Sequence, residues 1–99
     1  MAKTFYHGLL KSSTDALQMP SKKFQNGWLK TMTGNSGNVC IGSSSDVTIV
    51  GSATDNDIVS GLELDANQLF PLDTPGNLSD YWYIMDTSGD KLEYFLEDW

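Results

Sequence analysis

Short runs of β-branched and aromatic residues, each cut off within a few positions by glycine, proline or a cluster of Ser, Asn, Asp and Thr, constrain this chain more than any other feature. The 99 residues carry nine Gly and three Pro. The apolar runs between these breaks recur roughly every 8–12 residues, the spacing of strands in sandwiches and barrels. No stretch holds a 3.6-residue apolar stripe over three turns, so helices are not expected. The sequence therefore predicts an all-β chain: an antiparallel β-sandwich or small barrel of about eight short strands in one domain spanning 1–99.

Lys3 to Leu10 can form a first strand, with Gly8 marking a bulge; alternatively, residues 1–23 serve as an extended N-terminal arm. Lys11 to Ser21 reads mostly as loop, with Ser13-Thr14-Asp15 able to cap one short helical turn. Phe24 to Thr33 is a candidate strand interrupted at Asn26-Gly27, a dipeptide that also suits a hairpin turn. Gly34 to Asn38 is a turn and Val39 to Gly42 a short buried strand. Ser43 to Asp46 is a break, Val47 to Val50 a strand and Gly51 to Asp57 a polar loop. Ile58 to Leu64 resumes apolar character, with Leu62 and Leu64 sharing a face. Gln68 to Leu72 is a strand with Leu69 and Phe70 as core candidates. Asp73 to Asn77 is a turn whose Pro75-Gly76 centre suits type II geometry. Asp80 to Asp86 holds the strongest strand sequence, Tyr81-Trp82-Tyr83-Ile84-Met85. After the Thr87–Asp90 turn, Lys91 to Leu96 sets Leu92, Tyr94 and Leu96 against Lys91, Glu93 and Phe95. These last two strands are expected to pair as a hairpin.

Charge narrows the partners. The net charge is −7, and all six bases are lysine. A chain without arginine and with an acid excess is a poor match for nucleic acid, whose phosphates favour Arg forks and a positive surface. Residues 1–45 hold five Lys and one Asp, a balance of +4, and residues 46–99 hold one Lys and twelve acids, a balance of −11. Were the fold to keep these halves apart, the molecule would have an electrical polarity able to steer docking. No secretory h-region and no apolar run of the roughly 18 residues a membrane span needs is visible, so a cytoplasmic origin is expected, with no membrane partner. Outside a secretory route the Asn77-Leu78-Ser79 sequon carries no meaning.

Chemistry-bearing residues are sparse. His7 is the only histidine and Cys40 the only cysteine, so no intrachain disulfide can form. A His7–Cys40 nucleophile pair has no motif to support it. Asp55-Asn56-Asp57 with Glu63 and Asp65 resembles loose calcium chemistry but lacks EF-hand order, since Ser60 stands where glycine belongs and Ala66 where glutamate belongs. No phosphate loop is present. The expectation is a non-enzyme without cofactor or metal. Eleven aromatics remain. Trp28 and Trp82 are core or interface candidates, and Lys22-Lys23, beside Pro20, is a docking spot for an acidic partner or a solvated loop.

The order of Phe24–Lys30, Val39-Cys40-Ile41-Gly42 with Val47, Gly61-Leu62-Glu63-Leu64, Leu69, Asp80-Tyr81-Trp82-Tyr83-Ile84, Ser88-Gly89-Asp90 and Leu92-Tyr94-Leu96 resembles small β-sandwich virion proteins of tailed bacteriophages. In size and acidity it is most similar to capsid decoration (cement) proteins. The likeness covers about residues 24–96. It departs after Leu64, where Asp65-Ala66-Asn67 replaces the usual Pro-Gly. The resemblance implies a homotrimer on the outside of a phage head, bridging copies of the major capsid protein, and the same sandwich serves in tail, neck and fibre parts. Candidate partner contacts are Lys22, Lys23, Lys30, Trp28 and Trp99, with the lysine-bearing half facing the shell. A carbohydrate-binding module using Trp82 as its platform is the rival from another class.

Overall fold

The computed structural model describes residues 3–37, 39–47, 62–85 and 87–99. The expectations for Thr48–Val50, the Gly51–Asp57 loop with Asp55-Asn56-Asp57, Ile58–Gly61, Asn38 and Asp86 lie outside the described residues. Among these described residues ten strands follow in order: β1 (Thr4–Lys11), β2 (Ser13–Gln18), β3 (Lys23–Phe24), β4 (Asn26–Thr31), β5 (Val39–Gly42), β6 (Leu62–Leu64), β7 (Leu69–Leu72), β8 (Gly76–Asn77), β9 (Trp82–Met85) and β10 (Lys91–Asp98). A 3₁₀ turn at Leu78–Asp80 separates β8 from β9.

Eight of these strands make two four-stranded sheets, β1-β10-β4-β7 (sheet A) and β2-β9-β5-β6 (sheet B); β3 and β8 pair separately. All pairings among the described residues are antiparallel, and five of the seven follow one rule. Thr4 lies opposite Asp98, Leu17 opposite Tyr83, Phe24 opposite Gly76, Leu29 opposite Phe70 and Ile41 opposite Leu62, so the two numbers in each pair always add to roughly 100. The chain is one long antiparallel ribbon, folded back near its midpoint and then rolled. Rolling brings β10 against β4 and β9 against β5. The result is a double Greek key with the strand order of a jelly roll. It is a β-sandwich, as the sequence predicts.

The last two strands do not form a hairpin with each other. β9 lies in sheet B and β10 in sheet A, so Thr87–Asp90 crosses between layers. The reason is burial. β9 is apolar on both faces, with Tyr83 and Met85 in the main core and Ile84 in a second cluster. β10 buries Leu92 and Leu96 completely. Each strand gains two hydrogen-bonding neighbours from a central place in its own sheet, and their apolar sets then meet across the core. Burial also pushes the phenol of Tyr83 above its ordinary 10.0, which keeps it neutral in that core.

The N-terminal expectations change most. The strand expected over Lys3–Leu10 is β1 on sheet A rather than an arm, and where a loop was expected from Lys11, Ser13–Gln18 forms β2 on sheet B. Gly8 marks no bulge, because β1 and β10 stay in register from Thr4–Asp98 to Lys11–Lys91. It lies opposite Tyr94, whose ring fills the space a Cβ would take. Ser13 caps no helix: its Oγ accepts from Asp15 N at 3.1 Å and donates to Asp15 O at 2.8 Å, a local turn that shifts the β2–β9 register before Leu17. The break in the next strand falls at Gln25, not at Asn26-Gly27. Gly76 belongs to β8 and lacks the positive φ that a type II turn needs; Gly89, at φ 91°, is the glycine that uses that freedom. In β7, Leu72 takes the core place and Phe70 is half-buried, while Leu69 points outward at 52% exposure.

Side chains tie the crossings together. Asp90 is buried, and its two carboxylate oxygens accept from Ser36 N at 3.0 Å and Gly37 N at 2.8 Å. Asn35 exchanges two bonds with the backbone of Lys91 beside it. Thr31 Oγ1 accepts from Gln68 N at 2.8 Å and donates to Asp65 O. Asp90→Ala leaves two amides unanswered and is expected to lower stability by about 2–3 kcal/mol in chemical denaturation. Asp90→Asn, with one acceptor oxygen, should recover part of that loss.

Candidate functional site

Strand parity decides which side chains leave the core. With Leu92, Tyr94 and Leu96 facing inward, Glu93, Phe95 and Glu97 face out from sheet A. The register then builds rows across that outer face. His7, Phe95, Trp28 and Pro71 form one row; Leu9, Glu93, Lys30 and Leu69 form the next; Phe5, Glu97 and Asn26 form a third.

Aromatic rings dominate the middle of this face. Trp28 and Phe95 lie 5.6 Å apart between centroids at 16°, and Phe5 lies 5.6 Å from Phe95 on the other side. Around them Phe5, Leu9 and Leu69 are each a little over half exposed. Beside the rings His7, Leu9, Trp28, Met32, Glu93 and Phe95 enclose a shallow groove of about 340 Å³. At the rim, Lys3 pairs with Glu97 at 2.7 Å and its ammonium sits 5.3 Å from the centre of the Trp99 ring.

The outer face of sheet B is different. There Cys40, Val47 and Ile84 form a second buried cluster, with Ala16 and Trp82 packed against it. The chain after β5 folds back over its own sheet, and Val47 Cβ stands 2.8 Å from where a side chain on Gly42 would begin. Sheet B thus has part of its outer surface covered by its own chain, whereas sheet A leaves an aromatic and leucine-rich surface open. A single protein that exposes such a contiguous patch usually presents it to a partner.

Of the residues singled out in the sequence, Trp28 and Lys30 share the outer face of sheet A, and Trp99 lies at its rim beside Lys3. Lys22 and Lys23 lie away from that face. Lys22 is half-buried at the edge of the core, its Nζ 5.1 Å above the Tyr6 ring, its amide bonded to Asn77 Oδ1 and its carbonyl to Leu78 N. Lys23 is exposed on β3. Trp82 is half-buried on the outer side of sheet B, packed against the second cluster. His7 and Cys40 stand on opposite sheets, so the nucleophile pair is not assembled. Among the described residues no group of three or more His, Cys, Asp or Glu is placed to hold a metal. Glu63 and Asp65 are exposed at β6 and just after it.

The condition for a charge polarity, that the fold keep the two halves apart, is not met among the described strands. In both sheets the strands from the lysine-bearing and acidic halves alternate one by one: β1, β10, β4, β7 and β2, β9, β5, β6. A ribbon folded at its midpoint must pair early residues with late ones. The charges are therefore mixed, as where Lys30 faces Glu93.

Sequence reading missed Phe5, Leu9, Leu69 and Phe95 as surface residues. The alternation of β10 held the clue for Phe95, because fixing Leu92 and Leu96 inward forces it out. Nothing local marks Phe5 or Leu9; only their register against β10 puts them on that face.

Comparison with protein-family models, curated proteins and solved structures finds no match to this chain.

Proposed function

We propose that this chain is a structural protein of a tailed-phage virion, a capsid decoration protein that holds the outside of the head by docking on the major capsid protein, and that it catalyses no reaction. The observation that carries this reading is the open outer face of sheet A, with Trp28, Phe95, Phe5, Leu9 and Leu69 on a rigid sheet. Aromatic anchors on a preformed surface bind at low entropic cost, and apolar contacts repeated over a lattice add avidity. The jelly-roll order supports it as well, because viral capsid and lectin domains both use that architecture. The acidic balance suits a surface kept away from packaged nucleic acid.

Of the contacts the sequence suggested, this reading keeps Trp28, adds Leu69 on the same face, and gives less weight to Lys22 and Lys23, which lie away from it. The test is co-sedimentation with heads that lack the decoration protein. Wild type should pellet with them, and Leu69→Lys combined with Trp28→Ala should weaken binding by at least roughly tenfold, the ratio that 1.4 kcal/mol sets. Reversing Lys23 to Glu should change little. Wild-type protein left in the supernatant, or full binding by the double variant, overturns the reading. A tail, neck or fibre location would show as pelleting with tails instead. A carbohydrate module would show as glycan binding lost in Trp28→Ala.

A further inference from the structure

Every sheet edge is a row of backbone donors and acceptors able to pair with another strand, and folded proteins usually blunt such edges. Of the four sheet edges among the described residues, those of β7 and β2 are blunted. β7 carries Pro71, which has no amide to offer. β2 is broken by the register shift between Ser13 and Leu17, with Asp15 in the break.

β1 has none of these devices. It runs eight residues, Thr4–Lys11, in unbroken register with β10, without proline and with Tyr6, Gly8 and Leu10 rather than a charge facing the core. It is the outermost strand of sheet A, and among the described residues no backbone bond reaches its free side. Its outward residues read Phe5, His7, Leu9, at 52% exposure for the first and 54% for the last.

That outward pattern is nearly symmetric about His7, with one large apolar residue two positions to either side. An antiparallel copy centred on His7 would set Phe5 against the partner's Leu9 and Leu9 against the partner's Phe5. Large apolar pairs directly opposite each other are what stabilise neighbouring strands. A strand that complements itself when turned end for end selects a second copy of the same chain as its occupant, through a two-fold contact. The like charges this register brings near each other, Lys3 and the partner's Lys11, lie at the ends, and Lys3 already holds Glu97.

We infer that this protein self-associates through β1, two copies joining edge to edge so that their A sheets become one eight-stranded sheet. The inference does not depend on the capsid reading, and it replaces the threefold assembly that the resemblance implies. Joining the two sheets would double the aromatic face and give any docking through it a second point of attachment.

Light scattering on the full chain tests it. From roughly 1 to 100 µM, a range that spans weak to firm dimers, the mass should rise to twice the chain's 10.9 kDa. Leu9→Lys, at a half-exposed site that leaves the fold intact by circular dichroism, should return the mass to one chain. Leu69→Lys, at the proline-bearing edge, should leave the doubled mass unchanged. In a second measurement His7→Cys should cross-link through a short bis-maleimide to a band of two chains, against a wild-type control whose Cys40 is buried. A mass of one chain throughout, a mass of three chains, or a pairing lost in Leu69→Lys and kept in Leu9→Lys would overturn the inference.

Discussion

Phe24→Ala is expected to lower the unfolding free energy by about 3–5 kcal/mol, a large share of the roughly 5–15 kcal/mol a small domain holds. Phe24 is 2% exposed and among the largest fully enclosed side chains of the molecule. Its place in the fold makes the loss hard to repair. β3 and β8 lie where the chain passes between sheets, once outward and once on the way back, and each has only the other as a full partner. Phe24 sits opposite Gly76, and its Cζ comes within 3.4 Å of where a side chain there would begin. The ring therefore fills space on behalf of two residues. Truncating it leaves a void that glycine cannot fill, and Met19 and Leu78, buried in the same cluster, are tied down by backbone bonds from Met19 to Tyr81 and from Leu78 to Lys22. Denaturation in urea should show the midpoint falling with the slope unchanged. Phe24→Leu should keep most of the stability. A loss below about 1 kcal/mol for the alanine variant would mean that the crossing segments do not seal the core.

The same pair of crossings shows where the sequence is readable. Strand identity is legible wherever composition forces it. Val39-Cys40-Ile41 and Trp82–Met85 are unbroken apolar runs, and both became central strands buried on two sides. The alternation in Lys91–Leu96 is likewise legible, and the structure turns its Leu92, Tyr94 and Leu96 face into the core. Partner choice was not legible, because it depends on residues far apart in the chain. A short turn such as Thr87–Asp90 favours a hairpin on local grounds, yet two flanking strands that both need central places are better served in opposite sheets. β2 was hidden for a different reason: Ser13 and Asp15 bond each other locally, so their polarity looks like a loop while the backbone still pairs with β9. The docking face inherits both difficulties. Trp28 was a candidate on residue type alone, but its company of Phe5, Leu9 and Phe95 exists only through the register of three strands. Lys22 and Lys23 looked available because charge reads as exposure, whereas the stem and amide of Lys22 are part of the packing.

Gly27→Ala should be the most damaging conservative change on sheet A, costing about 3 kcal/mol or more, at or beyond the upper end for an added methyl in a packed site. A Cβ at this position would stand 2.4 Å from the backbone oxygen of Phe95 and 3.1 Å from Leu96 Cα. The obstacle is the neighbouring strand itself, so no side-chain rotation relieves it. β4 would have to move away from β10, and with it would go the Trp28–Phe95 stack outside and the burial of Leu29 within. Two other glycines separate this steric argument from any general effect of alanine in a strand. At Gly8 the intruding methyl meets the Tyr94 ring, nearest at its hydroxyl 2.7 Å away, and a side chain can swing where a backbone cannot. Gly8→Ala should therefore cost less than Gly27→Ala. Gly34 has nothing within 4 Å and no positive φ, so Gly34→Ala should be neutral or mildly stabilising through the unfolded chain. Thermal or chemical denaturation of the three variants gives the order directly. Were Gly8→Ala or Gly34→Ala to prove as damaging as Gly27→Ala, the close approach of β4 to β10, on which the whole outer face of sheet A is built, would be wrong.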